Sequence, residues 1–446
     1  MPDDHAARAE AVAAALGRSS GGPPLALAKR TSNLFRDRVR SGRARLDLGG
    51  FSRVLGVDPA RMLVDVEGLA SYEDLVAATL HHGVMPAVVP QLKTITIGGA
   101  AAGVGIEATS FRHGLVHDTL CEIEVLLPGG EIVTCTPDNE HRDLFLGFPN
   151  SYGTLGYALR LKARLLPVKR YVRAERARYR DPNAFVDGLA AQCSSQADFI
   201  DAVVFGADEQ VVNAGRFVDD APWVSDYTGQ RIYYRSLRSV DVDYLTALDY
   251  LWRWDTDWFW CSKNFGAQHP LVRRLFGRRR LNSRTYSRLM RLNARLGLSG
   301  RLARMRGVHP ESVIQDVDIP LSRAAEFLEF LLAAIGILPI WVCPIGPADR
   351  QTRFPLYPLA PRTLYMNFGF WDVIESREPQ RPGHFNRLIE DKVLELGGIK
   401  SLYSDSFFDR PTFARAYDMD EYDRLKRRYD PHGRAPGLYE KCVQRA

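Results

Sequence analysis

The sequence predicts an α+β fold with more than one domain. Strand-like and helix-like segments follow one another in an irregular order, one pair of strands is joined by a tight turn, and glycine-rich segments separate the elements. The 446 residues are enough for two or three domains with full cores. Hydrophobic content of 46% and charged content of 25% are ordinary for a soluble globular protein.

The first elements are a helix, short strands and a second helix. Residues 5–17 are alanine-rich and predict a helix, and 23–36 predict a strand followed by a polar loop. Residues 61–68, RMLVDVEG, alternate in polarity as a strand does. Ser71 then stands in an N-cap position with acidic residues in the turn after it, and Gly83 ends the predicted helix.

The segments that follow predict more strands. Residues 120–137, LCEIEVLLPGGEIVTCTP, predict two strands joined by a Pro-Gly-Gly turn. A long strand follows the glycine pair in NSYGTLGYALRLKARLLPV. The most apolar stretch, 327–346, carries Glu329, Gly336 and two prolines, so it predicts a helix and a buried strand, not a membrane span.

Residues 94–110, TITIGGAAAGVGIEATS, form a glycine-rich loop whose purpose the motif rules leave open. Gly103, Gly105 and Ala108 fit a Rossmann dinucleotide fingerprint. However, the residues after it lack a helical apolar period, Gly114 interrupts them, and the loop does not open the chain's first βαβ unit. The alternatives are a Rossmann loop, a glycine turn in a β-rich domain, or another kind of ligand cradle.

The flanking segments resemble the flavin-binding domain of the vanillyl-alcohol-oxidase superfamily, a PCMH-type FAD-binding fold. TITIGGAAAGVGIEATSFRHGLVHD resembles its second FAD loop, NSYGTLGYALRLKARLLP a later flavin-contacting turn and strand, and AKRTSNLFR its first pyrophosphate loop. Backbone N–H groups can cradle a pyrophosphate where no side chain intervenes. The resemblance therefore implies these cofactor-binding residues: Thr31, Ser32, Asn33, Thr96, Gly98, Gly99, Gly103, Gly105, Ile106, Glu107, His113, Gly114, Gly153, Thr154, Gly156 and Lys441.

A narrower resemblance is to the delta-24-sterol reductase (Diminuto-like) branch. It rests on HGVMPAVVPQLKTITIGGAAAGVGIEATSFRHGL, CTPDNEHRDLFLGFPNSYGTLG, VIQDVDIP, LPIWVCPIG and LYSDSFFDRPTFARAYD. Actinobacterial relatives in this branch reduce a methylene group on a fatty acyl chain, and the Ala- and Arg-rich composition is typical of high-GC genomes. The resemblance implies an FAD-binding domain over 1–170, a cap domain with an antiparallel sheet and flanking helices over 171–400, and a segment 401–446 that returns to the flavin domain.

The resemblance implies NADPH-fed, FAD-dependent reduction of an isolated lipid C=C. The expected reaction converts the methylene group of a 10-methylene fatty acyl chain of a phospholipid into a 10-methyl branch. The alternatives are a delta-24-sterol reductase, an oxidase or dehydrogenase of an alcohol or sugar, and a non-catalytic flavoprotein partner of a lipid methyltransferase. Covalent flavin attachment through the first loop is excluded because KRTSNLFR contains neither His nor Cys. We therefore expect dissociable FAD.

A tryptophan-rich segment, 249–277, is the candidate substrate wall. Its tryptophans recur at every second residue, which predicts a strand with an aromatic face. One interpretation is a packed strand in which Arg253 and Asp255 neutralise each other. The other is an aromatic pocket for a lipid chain, with these substrate-binding residues: Trp252, Trp254, Trp258 and Trp260.

Reduction of an isolated C=C requires an acid, because no carbonyl group accepts the hydride. Protonation leaves positive charge on a tertiary carbon, aromatic faces stabilise that charge, and hydride from flavin N5 quenches it. A carboxyl group in an apolar pocket has a raised pKa and stays protonated. The candidate acids, each with an ion-paired or surface role as the alternative, are Asp255, Asp257, Glu107, Tyr403 and Asp405. Asp316, in VIQDVDIP, matches the family's strand and is interpreted as structural.

The segment from Arg273 to Arg306 holds twelve arginines and no acidic residue. Leucines interleave with the arginines, which is the composition of a basic amphipathic segment on an anionic membrane. Nucleic acid and a solvated arginine face are the alternatives, and no nucleic-acid motif accompanies the patch.

The N-terminus lacks an apolar signal region and the six cysteines are scattered, so we expect a cytoplasmic protein that associates with the inner face of the membrane and binds no metal.

Overall fold

Two large antiparallel sheets organise the chain and confirm the α+β prediction. The structure, a computed structural model, describes residues 2–18, 25–28, 35–36, 44–296, 303, 305–346 and 351–445. One sheet has six strands and the other eight, and a two-stranded parallel sheet lies near the N-terminus. Because neighbouring strands in both large sheets run antiparallel, neither sheet contains the βαβ unit that a Rossmann loop requires.

The strands that belong to the small sheet and to the six-stranded sheet are β1 Leu25–Leu27, β2 Ala44–Leu46, β3 Val54–Asp58, β4 Leu63–Glu67, β5 Val84–Pro86, β6 Leu120–Leu126, β7 Ile132–Cys135 and β8 Tyr157–Pro167. The strands that belong to the eight-stranded sheet are β9 Tyr171–Tyr179, β10 Phe199–Gly206, β11 Glu209–Val218, β12 Val242–Thr246, β13 His309–Pro320, β14 Ile340–Ile345, β15 Tyr365–Ser376 and β16 Ile399–Lys400. The predicted strands at 61–68, 120–137 and 313–320 are therefore confirmed.

The α-helices of the described residues are α1 Pro2–Arg18, α2 Tyr72–Leu80, α3 Ile97–Ala102, α4 Ser110–His113, α5 Arg142–Gly147, α6 Pro182–Cys193, α7 Tyr233–Ser236, α8 Ala247–Leu251, α9 Pro270–Phe276, α10 Ser283–Leu296, α11 Ala324–Phe330, α12 His384–Glu395, α13 Arg410–Ala416, α14 Met419–Tyr429 and α15 Leu438–Cys442. Ser71 caps α2 as predicted, because its side chain accepts a hydrogen bond from the Asp74 amide. None of these helices is both long and apolar enough to cross a bilayer.

The N-terminal helix α1 is held on the six-stranded sheet by a buried ionic cluster. His5 lies between Glu67 and Glu124, with each of its ring nitrogens 2.9 Å from a carboxylate oxygen. Arg8 pairs with the same Glu67 and donates to the carbonyl of Gly50 at 2.6 Å. Burial of Glu67 is thereby compensated, and α1 becomes part of the half of the molecule that is built on the six-stranded sheet.

The eight-stranded sheet has two unlike faces. Its outer face is apolar and is covered by α6, α11 and α12, through residues such as Phe185, Phe327 and Ile389. Along β13, Val313, Gln315, Val317 and Ile319 belong to that face. The alternate residues, including Asp316 and Asp318, face inward, as the period of a strand dictates.

The inner face of this sheet carries most of its buried polar groups and packs towards the half that is built on the six-stranded sheet. Adjacent strands place Asp201, Cys343, Asn367 and Asp318 next to one another by register. All four are buried. Such groups require partners, so this face is where sequence-specific chemistry is concentrated.

The tryptophan-rich segment does not form the predicted strand. After α8, residues 252–260 run through successive turns, and Trp258 and Phe259 both have positive φ, 46° and 59°. The predicted pairing of Arg253 with Asp255 is also wrong. Arg253 instead pairs with Asp201 and Glu107. The alternation of tryptophans therefore reflects a compact aromatic turn and not a pleated strand.

Replacement of Gly98 by Ala tests the contact between α3 and the six-stranded sheet. A Cβ on Gly98 would lie 2.6 Å from the carbonyl oxygen of Gly68, inside van der Waals contact with backbone. We expect Gly98→Ala to lower the free energy of unfolding by about 1–3 kcal/mol, measured by denaturant titration. Gly129→Ala is the matched control, since a Cβ there meets nothing within 4 Å. Equal stability of the two variants would contradict this packing.

Candidate active site

The glycine-rich segment is only partly a loop. Residues 97–102 form α3, and Thr96 is its N-cap. The Thr96 side-chain oxygen accepts a hydrogen bond from the Gly99 backbone N–H at 3.3 Å. A one-turn helix, α4, follows and ends at Gly114, whose φ is 71°. The sequence did not predict either helix, because six residues and four residues are too short for a helical period to appear.

The glycines of this segment serve different purposes. A Cβ on Gly105 would lie 2.6 Å from Val116 Cγ2, so Gly105, like Gly98, is explained by packing inside the domain. Gly99 is exposed. Gly103 faces the Tyr152 ring, whose nearest carbon would be 3.4 Å from an added Cβ. The backbone of this segment is therefore accessible to a ligand at Gly99, whereas Gly103 is buried against the Tyr152 ring.

A strained turn lies directly against Gly103. Asn150 and Tyr152 have φ of 61° and 50°, which non-glycine residues rarely adopt, and Gly153 continues the turn at 75°. The backbone N–H of Asn150 donates to the Gly103 carbonyl at 3.3 Å, and the backbone N–H of Tyr152 donates to the Ala102 carbonyl at 2.8 Å. Strained turns that the surroundings hold in place are typical of functional sites.

Two buried polar atoms of this turn fit the polar groups of FAD. Asn150 Oδ1 and the Ser151 hydroxyl are inaccessible and form no hydrogen bond with the described residues. Buried polar atoms of this kind call for a partner. Together with the exposed backbone at Gly99, they form a suitable surface for a cofactor that has a pyrophosphate and a polar ring edge.

Two cationic side chains reach the same turn. The Arg36 guanidinium lies over the Tyr152 ring at 4.8 Å from its centroid. Lys441, on α15, donates from Nζ to the Tyr152 carbonyl at 2.6 Å. The structure therefore places Lys441 at the strained turn, in agreement with its predicted place near the cofactor. It places Arg36 there as well, a residue that the sequence did not single out. Positive charge here suits an anionic cofactor.

An acid stands across from this turn on the inner sheet face. Tyr152 hydrogen-bonds through its hydroxyl to the Ser401 hydroxyl at 3.2 Å, and Tyr403 follows two residues later. Trp371 donates from its indole N–H to the Tyr403 oxygen at 2.7 Å, and Tyr403 in turn hydrogen-bonds to the Asp316 carboxyl. In this pair Tyr403 is the donor and the Asp316 carboxyl is the acceptor.

The Asp316 carboxyl has a pKa raised to about 7. Burial is the main cause, the nearby Asp318 carboxyl raises the pKa further, and the Tyr403 hydrogen bond opposes both. Asp316 Oδ1 has no hydrogen-bond partner among the described residues, although the residue as a whole stays half-buried. Gly369, opposite it on β15, leaves room, because a Cβ there would lie 2.5 Å from Asp316 Oδ1.

Asp318 is the more completely paired neighbour. Its carboxylate accepts hydrogen bonds from Tyr357 at 2.7 Å and from Asn367 at 2.8 Å. Burial raises its pKa to about 6, and both hydrogen bonds lower it. Asp318 is therefore the group that ionises first, and its charge favours the protonated form of Asp316.

An aromatic cluster adjoins this acid. It contains Trp254, Phe259, Trp260, Trp341 and Trp371. Phe259 has ring-centroid distances of 5.0 Å to Trp254, 5.5 Å to Trp341 and 4.6 Å to Trp371. Trp260 lies 5.4 Å from Trp371, whose indole donates to Tyr403. The aromatic cluster is thus continuous with the hydrogen-bonded pair of Tyr403 and Asp316.

The remaining predicted tryptophans lie at the edges of this cluster. Trp258 packs 5.8 Å from Phe35, and Phe35 packs 5.9 Å from Tyr403. Trp252 lies on the other side, with the Lys93 ammonium 5.7 Å from its ring. All four predicted tryptophans are buried, so their assignment to a substrate wall remains a prediction.

Glu107 belongs to a separate buried ionic cluster. The Arg253 guanidinium lies 3.1 Å from Glu107 and 2.8 Å from Asp201. Burial is the main cause that raises the pKa of Glu107 to about 8. The Arg253 charge lowers this pKa, and the Asp201 carboxyl, which shares that cation, raises it. Trp254 and Trp341 also donate to Asp201, at 3.1 and 3.3 Å. The cluster fixes the aromatic turn on the inner sheet face.

Three other predicted acids lie apart from Asp316 in their own networks. Asp255 accepts hydrogen bonds from the Ser283 hydroxyl and the Lys93 amide, and Asp257 pairs with Arg273. These contacts fasten the start of α10 and the end of α9 to the aromatic turn. Asp405 lies 3.6 Å from the Arg445 guanidinium.

The other predicted cofactor residues are spread more widely. His113 is half-buried near Asp198, and burial lowers its pKa. Thr154 donates to the Ser151 carbonyl at 2.7 Å within the strained turn, and Gly156 ends that turn with a φ of 141°. Ile106 packs against the core of the six-stranded sheet. Thr31, Ser32 and Asn33 lie outside the described residues.

Comparisons with known proteins identify the first part of the chain. Residues 2–136 match a family model described as an FAD binding domain. A Delta(24)-sterol reductase of Pisum sativum is 26% identical, over 91% of this chain and 77% of that protein. The Homo sapiens Delta(24)-sterol reductase is 27% identical, over 88% of this chain and 76% of that protein.

A further relative carries a different activity in its name. Cytokinin dehydrogenase 6 of Oryza sativa subsp. japonica is 32% identical over 36% of this chain and 30% of that protein. The domain match and the relatives together show that the protein is an FAD-dependent oxidoreductase. The prediction of FAD as cofactor is thereby confirmed.

Replacement of Gly103 by Val tests the FAD surface. An added Cβ at Gly103 would lie 3.1 Å from the Gly99 carbonyl oxygen and 3.4 Å from the Tyr152 ring, so a valine there would shift both groups. We therefore expect the purified variant to lose most of its FAD, measured by the ratio of flavin to protein absorbance. Gly129→Val, in an exposed turn, is the control. Full FAD occupancy in Gly103→Val would contradict the assignment. Gly105→Val is unsuitable, because it also clashes with Val116.

The raised pKa of Asp316 predicts a pH-dependent effect on stability. The folded protein holds the Asp316 proton up to a pKa of about 7, whereas the unfolded chain releases it near pH 4. Stability therefore falls as pH rises between these values. We expect Asp316→Asn to raise the melting temperature at pH 8 relative to the unmodified protein, with little or no gain at pH 4. The exposed Asp220→Asn is the control, and a pH-independent difference would contradict the assignment.

Proposed function

We propose that this protein reduces an isolated C=C of a lipid with FAD, fed by NADPH, and that Asp316 is the proton donor. The observation that carries the proposal is a half-buried carboxyl group with a pKa of about 7, in contact with Tyr403 and next to an aromatic cluster. An alcohol or sugar oxidase needs a base and a polar pocket instead. The relatives named as sterol reductases, over most of the chain, also support C=C reduction.

The chain's own residues would hold the cofactor at the strained turn. Gly99 offers exposed backbone, Asn150 and Ser151 offer unpaired polar atoms, and Lys441 fixes the turn through the Tyr152 carbonyl. Bound FAD, once reduced, supplies hydride to the substrate. Tyr152 contacts Ser401, and Tyr403, two residues further on, contacts Asp316, so a substrate bound beside these residues would have the cofactor surface and the acid in one site.

Asp316 would hold the transferable proton, and Tyr403, which donates a hydrogen bond to the Asp316 carboxyl, would hold that carboxyl in position. At neutral pH about half of a group with a pKa of about 7 is protonated, so Asp316 can give up its proton and regain it at the working pH. Asp318 keeps the electrostatic environment negative, which stabilises positive charge on the substrate. The Tyr403 hydroxyl stabilises the Asp316 carboxylate that remains after transfer.

The aromatic cluster would stabilise the substrate's positive charge and exclude water. Phe259 and Trp371, both half-buried, are the members that a ligand can reach. Trp371 hydrogen-bonds to Tyr403, and Phe259 packs on Trp371. Aromatic faces attract a cation by their quadrupole. Because water would capture a tertiary cation, exclusion of water by this cluster also favours reduction over hydration.

The substrate that we propose is the methylene group of a methylene-branched fatty acyl chain of a phospholipid, which becomes a methyl branch. Such a chain is formed when one carbon is added to an unsaturated acyl chain, so a lipid methyltransferase is the partner that this substrate implies. A sterol with a side-chain double bond is the second candidate, and the relatives named Delta(24)-sterol reductase favour it. Both substrates require the same acid and hydride arrangement.

Anaerobic spectroscopy separates the two half-reactions. We expect the flavin band to bleach when NADPH is added and to return when phospholipid with methylene-branched chains is added. In Asp316→Asn, bleaching should persist while the return slows on the order of 10²–10⁴-fold, the usual contribution of a general acid. Asp220→Asn should match the unmodified protein. A normal return in Asp316→Asn would remove Asp316 from the mechanism, and bleaching by an alcohol but not NADPH would overturn the function.

The pH dependence of the second half-reaction gives a further test. Protonated Asp316 is the active form, so the rate of flavin reoxidation by the alkene should fall as pH rises through the Asp316 pKa of about 7. The fall should approach tenfold per pH unit well above the pKa. Stopped-flow measurement from about pH 5 to about pH 9, a range of about two units on each side of the Asp316 pKa, checks it. A rate that rises with pH would indicate a base and not an acid.

A further inference from the structure

Two neighbouring helices expose leucines beside arginines. On α9, Leu271 and Leu275 are 71% and 81% exposed and lie one turn apart on the same face. Arg274 lies on that exposed side of the helix. Arg273 does not, because it is buried and paired with Asp257, which corrects the prediction that the basic surface begins at that residue.

The longer helix α10 repeats the pattern. Arg284, Arg288, Arg291 and Leu292 are exposed and recur at helical spacing, so they share one face. Its opposite face buries Tyr286, which packs on the aromatic turn. Leu292 is 52% exposed. Exposed large apolar side chains set among arginines are typical of a surface that meets a membrane.

The charge of this surface is largely uncompensated. Arg278 pairs with Asp226, and Arg284 pairs with Glu73. The remaining exposed arginines at 274, 279, 280 and 288 form no ion pair with any described residue. The unpaired arginines therefore favour a partner with many negative charges. The exposed leucines favour a partner that also has an apolar phase to receive them, and a nucleic acid does not offer one.

We propose that the surface formed by α9 and α10 docks on an anionic lipid bilayer, with Leu271 and Leu275 inserted among the acyl chains. This inference rests on the proposed lipid substrate and specifies how that substrate is reached. Tyr286 of α10 stacks on Trp258 with ring centroids 6.4 Å apart. Trp258 contacts Phe35, and Phe35 contacts Tyr403. Two aromatic rings, Trp258 and Phe35, thus connect the buried face of α10 with Tyr403, which contacts Asp316.

Vesicle binding tests this surface without any turnover. The FAD-loaded full chain should sediment with phosphatidylcholine–phosphatidylglycerol vesicles and much less with phosphatidylcholine alone. Charge reversal in Arg274→Glu/Arg279→Glu/Arg280→Glu should weaken binding about 100-fold or more, since each basic residue contributes roughly a fivefold gain near an anionic surface. Leu271→Ser/Leu275→Ser should weaken binding at high salt as well as low salt, because insertion is not screened.

A matched control keeps the test specific to this surface. Arg61→Glu/Arg216→Glu/Arg427→Glu changes the net charge equally at exposed sites on other elements, and it should retain at least a third of the unmodified protein's affinity. Flavin absorbance and melting temperature verify that each variant is folded. Equal loss of binding in the control would overturn the surface assignment. So would binding of the unmodified protein to duplex DNA but not to vesicles, or to neither.

Activity measured on two forms of the substrate separates this inference from the proposed function. Lipid dispersed in detergent micelles should be reduced equally by the triple charge variant and the unmodified protein, whereas lipid in anionic vesicles should be reduced more slowly by the variant. If neither form of lipid is reduced but vesicle binding depends on these residues, the docking surface stands and the proposed reaction fails. Equal rates on vesicles would overturn the docking surface alone.

Discussion

The central constraint of this fold is that carboxyl groups are enclosed between the eight-stranded sheet and the flavin-binding half. Each buried carboxyl needs compensation, and the structure supplies it unequally. Asp201 has Arg253 and two indole donors, Asp318 has Tyr357 and Asn367, and Asp316 has Tyr403 alone. Of the neighbouring Asp316 and Asp318, Asp316 therefore has the higher pKa, about 7, and holds its proton to the higher pH. The chemistry arises from incomplete pairing in an otherwise well-paired interior.

The same constraint explains the shape of the surroundings. The aromatic turn is held by polar contacts on both sides, through Arg253 to Asp201 and through Asp255 to Ser283. Two consecutive residues with positive φ, Trp258 and Phe259, are tolerated because these contacts fix the chain around them. On the opposite side the strained turn at Tyr152 is fixed by Gly103 and Lys441. Acid and cofactor surface are thereby held in a set orientation.

Local patterns predicted the fold well and the site only in part. The strands at 61–68 and 313–320, the Pro-Gly-Gly hairpin and the Ser71 cap depend on neighbouring residues, so the sequence predicted them. The tryptophan segment alternates like a strand but forms turns, because distant partners outweigh local preference. Asp316 was assigned to a strand and interpreted as structural, because its raised pKa depends on burial, Tyr403 and Asp318, which the sequence does not show. Tyr152 and Arg36 gave no signal of their own.

The most direct test of this account is infrared difference spectroscopy of the FAD-loaded protein across a pH titration, with Asp316→Asn as the reference. The account predicts a carboxylic acid C=O stretching band that is present at pH 5.5, disappears with a midpoint near the Asp316 pKa of about 7, and is missing from the variant. This measurement needs no substrate and reports the proton itself. If no band that depends on Asp316 titrates near neutral pH, the carboxyl is already ionised, and the acid must be sought elsewhere.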